Sequence, residues 1–188
     1  MVTCKMIKIL KMEPLEDPKF VKPQKLIFEK DGKIREWEVV DTHDSVAVLI
    51  YHTEKDAFVL VKQFRPAVYL KNDDGMTVEL CAGLVDKDKS LKQITKEEIF
   101  EECGYDVPQE NIEKITSFYT AVGFAGGQQT LFFAKIDESM KVNDGGGVDD
   151  EEIEVVFIPV KQAKSFIFDA SIAKTPGLMY AFMWYLEN

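Results

Sequence analysis

Apolar and polar residues alternate over Lys25–Phe28 and Ile34–Val40, on either side of Asp31-Gly32. That pattern predicts a β-hairpin closed by a tight turn. Short apolar runs follow at Val46–Tyr51, Phe58–Phe64, Met76–Cys81, Ile112–Tyr119, Leu131–Ile136 and Ile153–Pro159, and each reads as a strand. Thr53–Asp56 reads as a turn, Arg65-Pro66 as a strand end and Lys71–Gly75 as a loop. Cys4–Leu10 reads as a first strand, after which Pro14, Pro18 and Pro23 interrupt regular structure. Val160–Phe168 reads as a short helix. Thr175-Pro176 opens a last helix ending near Leu186, apolar nearly all round with Met179, Phe182, Trp184 and Tyr185. It is too short to span a bilayer, so it belongs to the core or to a subunit interface.

One stretch organises the rest. Glu79 to Tyr105 reads as strand, glycine loop, helix and glycine stop. Ser90 is placed as N-cap with Gln93 three residues on, the spacing of a capping box. Gly104 is placed to end the helix in the left-handed conformation. Between them Glu98, Glu101 and Glu102 are spaced i, i+3 and i+4 on one face, with Ile99, Phe100 and Cys103 on the other side. Like charges at this spacing repel by about 0.2–0.5 kcal/mol per pair, and in the last turns they oppose the helix dipole. No Lys or Arg lies among them. A divalent cation removes both penalties, since Mg2+ takes carboxylate oxygens and completes its shell with water and phosphate. The alternative is a solvated acidic face.

Composition narrows the class. The chain has 188 residues, 46% hydrophobic and 30% charged, which suits one domain, or one domain with an N-terminal extension. Its formal net charge of −10 argues against a general nucleic-acid binder. An acidic protein that handles phosphate needs metal to bridge the two. No run of 18 apolar residues and no signal-peptide pattern is present. Cys4, Cys81 and Cys103 are an odd number without C-x-x-C spacing, as for buried thiols in a reducing compartment. The expected location is cytoplasmic, with no membrane partner.

Other candidates stand beside the glutamates. Arg65 follows an apolar strand, where it can fork onto a phosphate or serve an exposed pair. Glu79 lies on a strand, where an isolated glutamate usually faces water. Trp37 and Phe28 on the hairpin either pack a sheet or form an aromatic surface for a nucleotide base or a second subunit. His43 reads as structural or surface. Ala121–Gly127 is glycine-rich but lacks the G-x-x-x-x-G-K-[ST] phosphate loop. Asp137–Asp150, with Gly145-Gly146-Gly147, reads as a mobile loop. Asp149, Asp150, Glu151 and Glu152 at its exit form either a solvated turn or a lid carrying a metal-site carboxylate or proton acceptor.

The Glu79–Tyr105 stretch resembles the Nudix box, Gly-x5-Glu-x7-Arg-Glu-U-x-Glu-Glu-x-Gly-U, where U is apolar. Gly83, Glu98, Ile99, Glu101, Glu102, Gly104 and Tyr105 fill matching positions. Lys89 stands where the first Glu is expected and Glu97 where Arg is expected. The two swap charge, so an ion pair between them could persist with reversed sign. Glu79 to Gly83 resembles the Glu-x-x-Ala-Gly of the ADP-ribose and nucleotide-sugar pyrophosphatase branch. Thr42–Val46, Val61–Tyr69, Val78–Asp86 and the triple glycine followed by acidic residues resemble members that cleave UDP-glucose.

The resemblance implies an α/β/α Nudix sandwich with a mixed sheet, residues 45–188, preceded by an N-terminal β extension, residues 1–44, in a homodimer. It implies Mg2+, or Mn2+, held by Glu98, Glu101, Glu102 and the Ala82 carbonyl. Arg65 and Glu79 would bind substrate, and Trp37 or Phe28 would stack the base. Glu101 and Glu151 would be catalytic, Glu151 as general base with Asp149 second. The expected reaction is hydrolysis of a nucleoside diphosphate sugar, UDP-glucose to UMP and glucose 1-phosphate. ADP-ribose hydrolysis and a non-catalytic nucleotide-sugar binder are the alternatives.

Overall fold

The computed structural model describes residues 7, 9–18, 21–148 and 151–188. The chain divides into two compact units, Met1–Thr42 with Gly123–Ala125, and His43–Val122 with Gly126–Asn188. Of the strand expected at Cys4–Leu10, residues 4, 5, 6 and 8 lie outside the described residues, and Ile7, Ile9 and Leu10 are not in a strand.

The smaller unit is a hairpin of β1 (Lys22–Lys30) and β2 (Lys33–Asp41), longer at both ends than the alternation alone predicts. Asp31 and Gly32 both take positive φ, 57° and 71°, the twist a two-residue hairpin turn requires. Trp37 Nε1 donates to the Gly123 carbonyl at 2.9 Å and Val40 N to the Phe124 carbonyl at 2.7 Å. Leu26, Ile27, Ile34 and Trp37 are nevertheless exposed, and Phe28 is half-buried.

The larger unit is built on a seven-stranded sheet. Its main path runs β5 (Met76–Glu79), β4 (Ala57–Phe64), β3 (Ser45–His52), β8 (Gln128–Ile136) and β7 (Ile112–Tyr119). β6 (Cys81–Leu84) pairs with β3, and β9 (Ile153–Pro159) pairs with β4. The β3–β8 pair is parallel and the others antiparallel, so the sheet is mixed. The single strand expected over Met76–Cys81 is two, because at Leu80 the chain leaves β4 for β3. The loop expected at Lys71–Gly75 is preceded by helix α1 (Pro66–Asn72). Pro66 at its first position fits, since its fixed φ suits the first turn and its missing N–H would have no partner there.

Both faces of the sheet are covered. Val46, Val48 and Ile50 of β3 join Ile94, Ile99, Cys103 and Tyr105 in one core; Ala47 and Leu49 join Phe166, Leu178 and Phe182 in the other. Helix α2 (Leu91–Glu98) supplies the first layer, and α3 (Ala163–Phe168) and α4 (Pro176–Glu187) the second. This is an α/β/α sandwich. The final helix is a core helix on Leu178, Ala181 and Phe182, capped by Thr175 Oγ1, which accepts from Leu178 N.

Helix α2 does not run as α-helix to Gly104. Its last turn, Ile99–Cys103, is a π-helix, a wider turn with one extra residue. Ile99 and Cys103 still face the core, but Phe100 turns outward to 41% exposure and Glu102 is buried. Phe100 therefore departs from its expected grouping with Ile99 and Cys103, while Glu102 stays on the side of Glu98 and Glu101. Gly104 closes the helix at φ 79°.

Candidate active site

The glutamates open onto a cavity of about 490 Å³ lined by Glu98, Glu101, Glu102 and Glu151, with Arg65 and Glu79 beside them. Each is placed by a different local device. Ser90 Oγ accepts from Gln93 N at 3.2 Å and starts α2. The reciprocal half of the capping box is replaced, because Gln93 Nε2 donates to Glu97 Oε1 at 3.4 Å. Lys89 Nζ lies 2.8 Å from both Glu97 oxygens, so the two positions that depart from the box pair as expected.

Gly83 makes room for Glu98. A Cβ there would sit 2.1 Å from Glu98 Cδ and Oε1. Ala82 N donates to Glu102 Oε2 at 3.1 Å, tying the buried carboxylate to β6. Gly145 and its neighbours bind the other end of this helix. Gly146 N donates to the Glu102 carbonyl at 2.9 Å and Gly147 N to the Glu101 carbonyl at 3.0 Å. Glu151 follows, its Oε2 accepting from Val148 N at 3.2 Å. The glycines expected as a mobile hinge are thus fastened to the π-turn in this structure. Asp149 lies outside the described residues.

Arg65 and Glu79 meet each other. Arg65 Nε and Nη2 donate to Glu79 Oε1 and Oε2, both at 2.8 Å, and Thr77 Oγ1 donates to Glu79 Oε1 at 2.6 Å. The Glu79 side chain is mostly buried, so the reading of a water-facing strand glutamate is corrected. Burial pushes its pKa up, but the hydrogen bonds from Arg65 and Thr77 outweigh that and hold it below the usual carboxylate value. The same fork raises Arg65.

The helix carboxylates go the other way. Burial first, then the charge of Glu101, pushes Glu98 up to about 7. Burial pushes Glu102 up to about 8, against the stabilising bonds of Cys81 and Ala82 N, with Glu98 and Glu151 adding to the rise. Glu98 and Glu102 are thus carboxylates whose loss of water is not offset by nearby positive charge.

Whether a cation fits depends on this donor set. It is all oxygen, the chemistry of Mg2+ or Mn2+, and Gly83 leaves the space that Glu98 occupies. Among the described residues no three Asp, Glu, His or Cys side chains are grouped closely enough to hold a metal as they stand. Ala82 also lines the cavity.

Other lining residues were not singled out from sequence: Ser45, Gln63, Lys87 and Gln129. Ser45 and Gln129 are register partners on the parallel β3–β8 pair, and Gln129 Nε2 donates to Ser45 Oγ at 3.2 Å. Lys87 is exposed and without an ion-pair partner among the described residues. No local pattern marks these positions, since the sheet brings them together from distant segments. Trp37 and Phe28 belong to the hairpin unit, and every residue lining this cavity comes from the larger unit.

The family model described as the NUDIX domain matches residues 41–176. Uridine diphosphate glucose pyrophosphatase of Bos taurus is 33% identical over 197 residues, 89% of each chain. The protein of that name from Mus musculus is 32% identical, covering 90% of this chain and 89% of its own. GDP-mannose pyrophosphatase of Cronobacter sakazakii is 44% identical over 137 residues, 71% of this chain and 70% of its own. The sandwich, the glutamate helix docked on Gly83 and these matches together place the chain in the Nudix family, as a Nudix hydrolase.

Proposed function

We propose that this hydrolase cleaves the pyrophosphate of nucleoside diphosphate sugars with Mg2+ or Mn2+, and that its foremost substrate is UDP-glucose, giving UMP and glucose 1-phosphate. The observation that carries the reading is the group of Glu98, Glu101, Glu102 and Glu151 on one cavity, two of them with raised pKa. The relatives that act on UDP-glucose cover most of this chain, which favours that substrate. The relative named for GDP-mannose, more similar over a shorter length, makes GDP-mannose the second reading. ADP-ribose is third.

Glu98, Glu101, Glu102 and the Ala82 carbonyl would hold the cation. When bound, it supplies charge neutralisation on the diphosphate and lowers the pKa of water. Glu102, fixed by Ala82 N and buried, keeps its carboxylate in one orientation. Arg65, oriented by Glu79, turns its remaining donors to a phosphate oxygen. Lys87 adds a second positive charge from the loop after β6. Glu151 accepts the proton of the attacking water, held near the helix because Gly146 and Gly147 are bonded to it. Trp37 or Phe28 stacks the base.

The exposed apolar residues of the hairpin fit a second copy of the chain, because a lone two-stranded sheet is marginal in water. A homodimer is the assembly we infer. The buried free thiols of Cys81 and Cys103 suit the reducing cytoplasm, and no helix of the described residues is long and apolar enough to cross a membrane.

The test is turnover on UDP-glucose, GDP-mannose and ADP-ribose with and without Mg2+, with products resolved by chromatography. Cleavage of UDP-glucose to UMP and glucose 1-phosphate, dependent on metal, is expected. Binding of nucleotide sugars without cleavage under any divalent metal would instead describe a binder.

A further inference from the structure

A second cavity, of about 360 Å³, adjoins the acidic one. The two share Glu79, Ala82 and Gln129 as lining residues. It is bounded by Phe118 and Tyr119 at the end of β7, by Thr120, and by Thr175–Gly177 at the start of α4. Gly177 keeps it open: a Cβ there would lie 3.0 Å from Gln129 Oε1 and 3.2 Å from Phe118 Cζ.

We infer that this cavity holds the sugar of the nucleoside diphosphate sugar, and that Gln129 and Tyr119 read its hydroxyls. The inference rests on the reading of the acidic cavity as the diphosphate site. The three shared residues set the two cavities side by side, so the occupant is a group next to the diphosphate. In such a substrate the hexose and the ribose are each bonded to a phosphate, and it is the lining that favours the hexose. A hexose has apolar C–H faces and a rim of hydroxyls; Phe118 and Tyr119 offer aromatic surface, and polar atoms are few and fixed. Gln129 Nε2 is committed to Ser45 Oγ, which orients the amide and leaves Oε1 as an acceptor with no protein donor among the described residues. The Tyr119 hydroxyl likewise has no protein partner there. An acceptor and a donor–acceptor over an aromatic floor can distinguish hydroxyl configurations, because a misplaced hydroxyl leaves one of them unpaired.

The experiment compares wild type, Gln129→Leu and Tyr119→Phe on paired substrates. UDP-glucose against UDP-galactose varies only the sugar, and UDP-glucose against ADP-glucose varies only the base. In Gln129→Leu the sugar ratio of kcat/KM is expected to change by about tenfold or more, while the base ratio holds within about twofold. Inhibition by glucose 1-phosphate weakens and inhibition by UMP does not. Tyr119→Phe removes one exposed hydroxyl and leaves the fold, so it answers if Gln129→Leu does not fold. A changed base ratio with an unchanged sugar ratio, or two folded variants like wild type in both ratios, overturns the assignment. If wild type cleaves no nucleotide sugar, the hydrolytic reading fails by itself. The cavity is then judged by calorimetric titration with glucose 1-phosphate in Mg2+. Binding lost in the variants supports the sugar site, and binding absent from wild type or retained in the variants overturns it.

Discussion

Lys89 Nζ stands 2.8 Å from both carboxylate oxygens of Glu97, one residue before Glu98. The pair joins the loop after β6 to the last α-turn of α2, and it does so with the charges of the Nudix pattern exchanged. The hydrogen bond from Lys89 holds the Glu97 pKa below its usual value. An exposed pair of this kind contributes about 0.2–1 kcal/mol, so its value lies in fixing the loop after β6 relative to Glu98.

Either single reversal, Lys89→Glu or Glu97→Arg, therefore sets like charges together, and kcat is expected to fall several-fold with little change in melting temperature. The double variant restores an attractive pair with the family's polarity. It is expected to recover most of the rate. A double-mutant cycle on kcat and on stability checks this, and additive losses in the double variant would deny the coupling.

Removal of metal should make stability depend on pH in a definite sense. Glu98 and Glu102 titrate near 7 and 8 when folded, above the ~4.3 of an unfolded glutamate. Between about pH 4.5 and 8 the folded state then binds more protons than the unfolded, so metal-free stability falls as pH rises through that window. Glu79 has the opposite sign. Its lowered folded pKa gives stability that is present above the unfolded pKa and lost as pH falls through the folded one. Thermal unfolding of metal-free protein is expected to be most favourable to the fold near pH 5. Added Mg2+ should stabilise most at pH 8 and above, where the carboxylates are free of protons. A melting temperature that rises from pH 5 to 8 without metal would contradict this.

Arg65→Ala would leave the buried Glu79 carboxylate with Thr77 as its remaining side-chain donor. The cost to stability is expected at about 1–3 kcal/mol, alongside a raised KM. Arg65→Ala/Glu79→Gln should recover stability but not KM, because the phosphate donor stays lost. Urea denaturation and steady-state kinetics separate the two effects.

Lys87→Ala tests the exposed cation that lines the cavity. KM is expected to rise by up to about tenfold, and the salt dependence of kcat/KM to become shallower, because screening acts on exposed charge. Unchanged KM and salt dependence would remove Lys87 from substrate binding.

Local chemistry was legible in the sequence where neighbours along the chain carry it. Asp31-Gly32 gave the turn, Ser90 and Gly104 the two ends of the box helix, and Lys89 with Glu97 a pair readable from reversed charges. Glu98, Glu101 and Glu102 shared a face on spacing alone. What spacing could not show was the π-turn, which depends on packing. The commitment of Arg65 to Glu79 was hidden as well, since it needs the antiparallel register of β4 and β5 that brings Val61 opposite Glu79. Ser45 and Gln129 lie 84 residues apart and meet through parallel pairing of two strands, which leaves no local mark. The helix α1 after Pro66 was missed because seven residues, about two turns, are too short to show a helical period.

The most direct measurement is turnover of UDP-glucose with Mg2+ by wild type and by Glu102→Gln, with products separated by chromatography. Glu102→Gln keeps the size of the side chain and removes its charge, so the fold should hold. The account predicts UMP and glucose 1-phosphate from wild type, and a loss on the order of 10²–10³ in kcat for the variant. A variant as active as wild type, or a wild type equally active after exhaustive chelation, would contradict it.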